Sequence, residues 1–374
     1  MSLEPTLESH EVIPLAELTT LGVGGPARHL VRATSEAEII EAVRAADDAG
    51  ERLLILGGGS NVVVGDAGFD GIAVQIASQG YAVSTDSSAD GSGAVSVVVQ
   101  AGENWDDFVH QSVLHGWSGL EALSGIPGSS GATPVQNVGA YGTDVAATIA
   151  AVRTWDRQEQ VVRTFTHDDC EFGYRDSRFK RSILRGAPRF VVLTVEFRLA
   201  LGQMSAPVRY SELAARLGVD VGQRAPALEV RGAVLALRAS KGMLLNPTDR
   251  DSHSTGSFFT NPVVSLAQAQ RLPEDAPRFP VRVVDPLAAG SPADEQVKLS
   301  AAWLISHAGF DRGFGAELTG GRATLSTKHS LAVTNRGGAT AQDVLILARA
   351  VQRGVQERFG VLLEPESQLV GIDW

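Results

Sequence analysis

Cysteine is almost missing from the 374-residue sequence, where Cys170 stands alone. One thiol cannot make an internal disulfide, a Cys-rich zinc site or a dithiol redox pair, and it suits a reducing, cytoplasmic setting. Any redox function must use a borrowed cofactor. Positive charge is scarce as well: 32 Lys and Arg against 43 Asp and Glu give a net charge of -11, the wrong sign for neutralising nucleic-acid phosphates. No nucleic-acid partner is expected. Long apolar runs are lacking; the strongest, 190–197 and 344–351, fall far short of the ~20 residues a spanning helix needs. No membrane insertion is expected. Residues 1–10 carry Glu4 and Glu8, no Lys or Arg and no apolar core behind them, so no targeting segment is expected. The eight histidines show no metal-ligand spacing, and no protein-bound metal is inferred.

What the sequence does hold is enough apolar material for a core: 44% hydrophobic residues, 20% charged, and a mean hydropathy of +0.03. The length calls for two or three domains. Ser35 and Glu38 read as a capping box opening a helix that Gly50 stops. Residues 52–56 read as a strand, 57–61 as a glycine loop and 62–64 as a second strand. A strand at 94–101 leads to Asn104, the cap of a helix whose Trp105, Phe108, Val109 and Val113 share one face. Residues 85–93 are Ser, Thr, Asp, Ala and Gly and read as a loop. Strands are expected at 151–156, 161–165 and 190–199. Composition shifts to Gly, Ser and Pro around 201–207, which places a domain boundary there. Helices are expected at 228–239, 298–308 and 341–359, with Thr340 as the last cap, followed by an extended end over 361–374 able to rejoin an earlier sheet.

Two glycine segments could carry chemistry. Gly57, Gly58, Gly59, Ser60 and Asn61 sit between two strands, where backbone amides can turn toward an anion. The spacing is neither a Walker loop nor a Rossmann fingerprint, so a plain glycine hairpin and a phosphate cradle remain equal readings of this loop alone. Residues 122–143 contain no charge, five glycines and two prolines. A loop of that length in a compact domain favours ligand binding over an idle connection. Together the two segments suggest a dinucleotide. Beyond them, 172–177 (FGYRDS) sets aromatic surface beside Arg175, a residue suited to bidentate carboxylate recognition. Ser177 and Lys180 form a Ser-x-x-Lys pattern without the partner motifs of the serine enzymes that use it. In 256–262 (GSFFTNP) one hydroxyl, Ser257, stands between a glycine and two large rings; Phe258 and Phe259 also fit an ordinary core. Residues 363–366 (LEPE) supply two carboxylates. The stretch 172–189 has six cationic residues against Asp176, net +5, which leaves room for an anionic small substrate in an acidic chain.

In this order, 55–64 (ILGGGSNVVV), 120–142 (LEALSGIPGSSGATPVQNVGAYG), FGYRDS, GSFFTNP and LEPE resemble the UDP-N-acetylenolpyruvoylglucosamine reductase (MurB) family from about Leu18 to Ile372. Residues 207–213 (PVRYSEL) are similar to the tyrosine loop of its longer class. The resemblance implies an α+β chain: a vanillyl-alcohol-oxidase (PCMH-type) FAD-binding fold over 17–205, with lobes near 17–79 and 80–205. A separate α+β substrate-binding domain over 206–358 and a terminal segment, 359–374, returning toward the active site are implied as well.

The activity implied is NADPH-dependent reduction of the enolpyruvyl ether of UDP-N-acetylglucosamine to UDP-N-acetylmuramate. That reaction is a cytoplasmic step of peptidoglycan synthesis serving cell-wall biogenesis, cell shape, the cell cycle and division. By the resemblance, FAD is held by Gly57, Gly58, Gly59, Ser60 and Asn61, by Ser124, Gly125, Ile126, Pro127, Gly128, Gly131 and Ala132, by Gln136, Asn137, Gly139, Ala140 and Tyr141, and by Arg238. Arg175 matches the family's carboxylate-facing arginine, Ser257 its proton donor and Glu366, rather than Glu364, the assisting glutamate. Tyr174, Tyr210, Lys241 and Asn261 would hold the UDP-sugar. Ser330 departs from the Gln of some long-class relatives, so that contact is not carried over. A monomer is expected, and no motif reads NADPH over NADH. The alternatives are another FAD-dependent oxidoreductase of the same fold, such as a sugar or alcohol oxidase, a nonenzymatic nucleotide-binding protein, and a Ser-x-x-Lys hydrolase.

Overall fold

A computed structural model describes residues 13–84, 93–280 and 296–374. The loop expected at 85–93, apart from Gly93, and the 1–10 segment lie outside the described residues. The chain forms two compact units. The first holds Gly24–Gly59 and Ala67–Leu237; the second holds Thr19–Val23, Ser60–Asp66 and Arg238–Trp374. The unit changes after Leu237, beyond the composition shift near 201–207. Residues 203–227 stay with the first unit, where Ala206 N–H donates to the Glu121 carboxylate.

The first unit contains two sheets. In the smaller, Phe69–Ile76 lies between Ala27–Ala33 and Leu53–Leu56 with both pairs parallel. The helix Glu36–Asp48 makes the crossover that parallel strands require. It starts as read: the Ser35 hydroxyl accepts from Glu38 N–H, while the Glu38 carboxylate takes Thr34 N–H. The larger sheet is antiparallel, with Phe190–Leu201 between Ile149–Asp156 and Ala94–Gln100. Six of the first six residues of Phe190–Leu201 are buried, the near-continuous pattern of a strand covered on both faces. Against this core packs Trp105–Leu114, capped by Asn104 as read, with Trp105 and Phe108 fully buried. A separate small cluster of Val208, Leu213, Val230 and Val234 packs against Tyr141.

In the second unit the extended end does rejoin a sheet: Gln368–Val370 pairs in parallel with Val62–Val64. The helix expected over 298–308 is shorter, Ala301–His307. Ser300 caps it by accepting from Trp303 N–H, and Lys298 instead lies in strand Gln296–Leu299, paired with Val263–Ser265 and Arg278–Pro280. A capping hydroxyl at 300 sets the helix start, so the preceding residues are free to pair. The helix Ala341–Phe359 has the read boundaries and a full capping box between Thr340 and Asp343.

Asp343 also accepts a two-point fork from Arg322, 2.8 and 2.7 Å. That fork, ahead of the Thr340 bonds, pushes its carboxyl down to about 2. Because the folded value lies below the unfolded one, the stabilisation is present above the ordinary carboxylate range and is lost as pH falls from about 4 toward 2. Asp343→Asn is therefore expected to lower the thermal midpoint at neutral pH and to flatten its acid limb between those values, as read by calorimetry across pH 2–7.

Candidate active site

The first unit brings the two glycine segments together. A Cβ on Gly58 would lie 2.7 Å from Gly128 Cα and 3.2 Å from Ser129 N, so here two backbones touch with no side chain between them. Gly131 packs equally close on Ala101, its would-be Cβ 2.8 Å from Ala101 Cα. Gly59 adopts φ +61, a conformation that glycine takes without the Cβ clash. Among the described residues the amides of Gly58, Gly59, Ile126, Gly128 and Ser129 donate no hydrogen bond. Consecutive amides without protein partners can form an anion cradle; of these five, Gly59 and Ser129 are buried, Ile126 and Gly128 half-buried and Gly58 exposed. Ser130 Oγ is buried in the same segment with no partner. Unfilled donors, a cradle that a Cβ would close and an orphaned hydroxyl all fit the diphosphate and polar edge of a dinucleotide such as FAD.

Neither Ser129 nor Ser130 was singled out from the sequence, although both lie inside the uncharged run. Asp106 was missed too. Its carboxylate accepts from Gly125 N–H and from both arms of Arg231, 2.6 and 3.0 Å, so it pins the start of the glycine run. Burial opposes its ionisation, yet the Arg231 fork and the Gly125 amide outweigh that and hold its carboxyl below the usual range. Of the remaining expected cofactor residues, Ser124 donates to Glu121 C=O and Pro127 and Ala132 flank the cradle. Gln136 lies in the following turn, and Gly139 and Ala140 pair with Thr143–Asp144.

Asn137 links the glycine run to Arg175. Its Nδ2 donates to Gly173 C=O at 2.9 Å, and the Arg175 guanidinium donates to Gly139 C=O at 2.6 Å and Asn137 C=O at 3.4 Å. Asn137, Tyr141 and Arg175 have φ of 45, 49 and 52, left-handed backbone that costs a non-glycine residue energy and clusters at functional sites. Arg175 also stands 5.5 Å over the Tyr174 ring. The Ser-x-x-Lys pattern dissolves: Ser177 Oγ donates to Val135 C=O and caps the short helix Arg178–Arg181, while Lys180 Nζ donates to Arg175 C=O. The +5 of 172–189 is likewise reduced, because Arg178 and Arg181 pair with Glu171 and Asp176, and Arg189 with Asp156. Cys170 is buried, and burial, then Asp169, pushes its thiol up to about 12, which disfavours the reactive thiolate. Tyr210 is exposed and meets Tyr141 edge-on at 5.5 Å.

In the second unit, 255–260 runs alongside 364–367. Glu366 N–H donates to Phe258 C=O at 2.8 Å, Thr260 N–H to Glu364 C=O at 3.0 Å, and Ser367 Oγ to Thr255 Oγ1 at 2.8 Å. This ladder pairs Phe258, the residue after Ser257, with Glu366; Ser257 and Glu366 are both half-buried, whereas Glu364 is exposed. Among the described residues the Ser257 hydroxyl has no hydrogen-bond partner. Phe258 and Phe259, T-shaped at 5.0 Å and buried, serve as core. Asn61 joins the cluster, with Nδ2 donating to Glu366 C=O.

Arg238 donates to Met243 C=O at the end of helix Ala227–Ser240, and Lys241 follows at the same turn. Asn261 Oδ1 accepts from Ala301 N–H, and among the described residues its amide nitrogen makes no hydrogen bond. Ser330 is buried, with Ser306 Oγ donating to its hydroxyl at 3.4 Å, a structural use in accord with not assigning it to the nucleotide. Among the described residues no group of acidic, His or Cys side chains could hold a metal ion, and no helix is long and apolar enough to cross a membrane.

Residues 27–164 match the model of an FAD binding domain, and 246–370 match that of the UDP-N-acetylenolpyruvoylglucosamine reductase C-terminal domain. The reductase of Cutibacterium acnes is 52% identical over 98% of this chain and 91% of its own length. That of Streptomyces coelicolor is 49% identical over 99% and 92%. The crystal structure of MurB from Thermus caldophilus, 23% identical, covers 96% of this chain and 98% of its own with a TM-score of 0.57, which shows a shared fold. FAD is accordingly the cofactor that the glycine cradle fits, and the chain belongs to the UDP-N-acetylenolpyruvoylglucosamine reductase family of flavoprotein oxidoreductases.

Proposed function

We propose that this protein uses NADPH to reduce the enolpyruvyl ether of UDP-N-acetylglucosamine to UDP-N-acetylmuramate, supplying a peptidoglycan precursor in the cytoplasm. What supports the catalytic assignment is the backbone ladder that pairs Phe258, the residue after Ser257, with Glu366, together with a Ser257 hydroxyl that has no hydrogen bond among the described residues. FAD, held by the glycine cradle, would supply the two-electron hydride chemistry that links NADPH to the enolpyruvyl substrate. The chain's own residues must do the rest. Hydride addition at C3 builds negative charge over C2 and its carboxylate, and Arg175 offers a fixed cationic fork for it. Its guanidinium is oriented by the Gly139 and Asn137 carbonyls.

Ser257 delivers the proton to C2. An aliphatic hydroxyl is a weak acid, but the carbon it serves is strongly basic. Glu366 assists that transfer. Tyr174, Tyr210, Lys241 and Asn261 hold the UDP-sugar, the last through its amide nitrogen.

The test is spectroscopic. The purified protein is expected to be yellow, to bleach with NADPH in the absence of oxygen, and to regain its colour when the enolpyruvyl substrate is added. A protein that takes up no flavin after FAD loading, or one whose reduced flavin ignores the enolpyruvyl substrate, would overturn the proposal.

A further inference from the structure

A cavity of about 220 Å³ lies wholly within the first unit, and its lining includes Arg198, Arg209, Arg224, Tyr141, Thr143 and Glu121. Three guanidinium groups line one hollow of a chain whose net charge is -11. Its one carboxylate is already occupied: Glu121, 1% exposed, accepts from Gly119 N–H and Ala206 N–H.

Some arginines elsewhere in the chain are matched to acids, as Arg157 is to Asp47, Arg231 to Asp106 and Arg322 to Asp343. Among the described residues no carboxylate pairs with Arg209 or Arg224. Both are exposed, and Arg224 donates to Ser205 C=O at 2.9 Å. Guanidinium forks without acidic partners favour a doubly charged phosphate.

The cavity's position says which phosphate. Tyr141 closes the run that forms the FAD cradle and touches Tyr210, the neighbour of Arg209 in sequence. A ligand here therefore lies alongside the residues assigned to the reactants. NADPH differs from NADH only by a 2′-phosphate that takes no part in hydride transfer, so a group outside the reacting centre must read it. We propose that this cavity is the site for that 2′-phosphate, with Arg209 and Arg224 as its forks. The inference rests on the proposed use of NADPH.

The experiment is anaerobic stopped-flow reduction of the holoenzyme by NADPH and by NADH, in the wild type, R209A/R224A and R209K/R224K, with FAD content and thermal midpoint recorded for each. Loss of charged hydrogen bonds predicts a drop of roughly 10- to 100-fold in kcat/KM for NADPH. NADH should stay within about twofold, and the Lys variant, which keeps charge without the fork, should fall between. In the wild type 2′,5′-ADP should compete with NADPH far better than 5′-ADP, and the Ala variant should lose that difference.

A variant that keeps its NADPH preference, a wild type that uses both nucleotides equally, or a variant that loses UDP affinity instead would each overturn the inference while leaving the reductase reading intact. Flavin that neither nucleotide reduces in the wild type would overturn the reading beneath it. If the Ala variant does not fold, the Lys variant decides alone: unchanged discrimination against NADH overturns the inference.

Discussion

Ser257→Ala is expected to leave the reduction of bound flavin by NADPH within about twofold of wild type and to slow the second half-reaction by about 10²-fold or more, the range for loss of a general acid. The structure sharpens this expectation. Among the described residues the Ser257 hydroxyl bonds to nothing, so its removal leaves no buried group unsatisfied, and the thermal midpoint should barely move. The neighbouring hydroxyls behave differently: Thr255 and Ser367 bond to each other at 2.8 Å and are buried, so alanine there should cost stability. A slow second half-reaction in a protein of normal stability would therefore assign Ser257 to chemistry rather than to folding. Equal damage to both half-reactions would mean that Ser257 supports the site's shape and that another group delivers the proton. Single-turnover absorbance traces at several pH values separate the two outcomes.

Local rules made much of this protein legible. Ser35, Asn104 and Thr340 each cap the helix read from them, because a cap needs only a side-chain oxygen and an amide three residues on. Ala341–Phe359 has a strong apolar stripe and a glycine stop, both local features. What could not be read depends on partners distant in sequence. Gln296–Leu299 is a strand only because Val263–Ser265 and Arg278–Pro280 flank it. Asp106 lies in the first turn of helix Trp105–Leu114, and its bonds to Gly125 and Arg231 come from remote segments.

The site shows the same division. FGYRDS, GSFFTNP and LEPE named Arg175, Ser257 and Glu366 through resemblance, yet nothing local places Glu366 N–H on Phe258 C=O. The +5 of 172–189 is likewise a local count: two of the carboxylates that pair with its arginines, Glu171 and Asp156, lie outside that window.

Gly58→Ala is expected to weaken FAD binding by about 10- to 100-fold, and the glycines of this loop should differ in a graded way that tests why. The would-be Cβ of Gly58 meets Gly128 Cα at 2.7 Å and Gly128 C at 2.9 Å, well inside the roughly 3.5–4.0 Å of an ordinary carbon contact. Both obstacles are backbone, so one loop must move away from the other and the amides of Gly58, Gly128 and Ser129 no longer converge. Gly57 faces the Ser129 side chain instead, and a serine hydroxyl can rotate aside, so Gly57→Ala should be milder. Gly232 has nothing within 4 Å and lies in helix Ala227–Ser240; alanine there should bind FAD normally and stabilise by up to about 1 kcal/mol. Overpacking of roughly 1–3 kcal/mol at Gly58 converts to an FAD dissociation constant raised by about 10- to 100-fold. Fluorescence titration of flavin-stripped protein measures it, with the thermal midpoint of the stripped protein taken separately so that a folding defect is not mistaken for a binding one. Wild-type affinity in Gly58→Ala would show that the loops can part without cost, and the converging amides would then have to be dropped as the diphosphate's anchor.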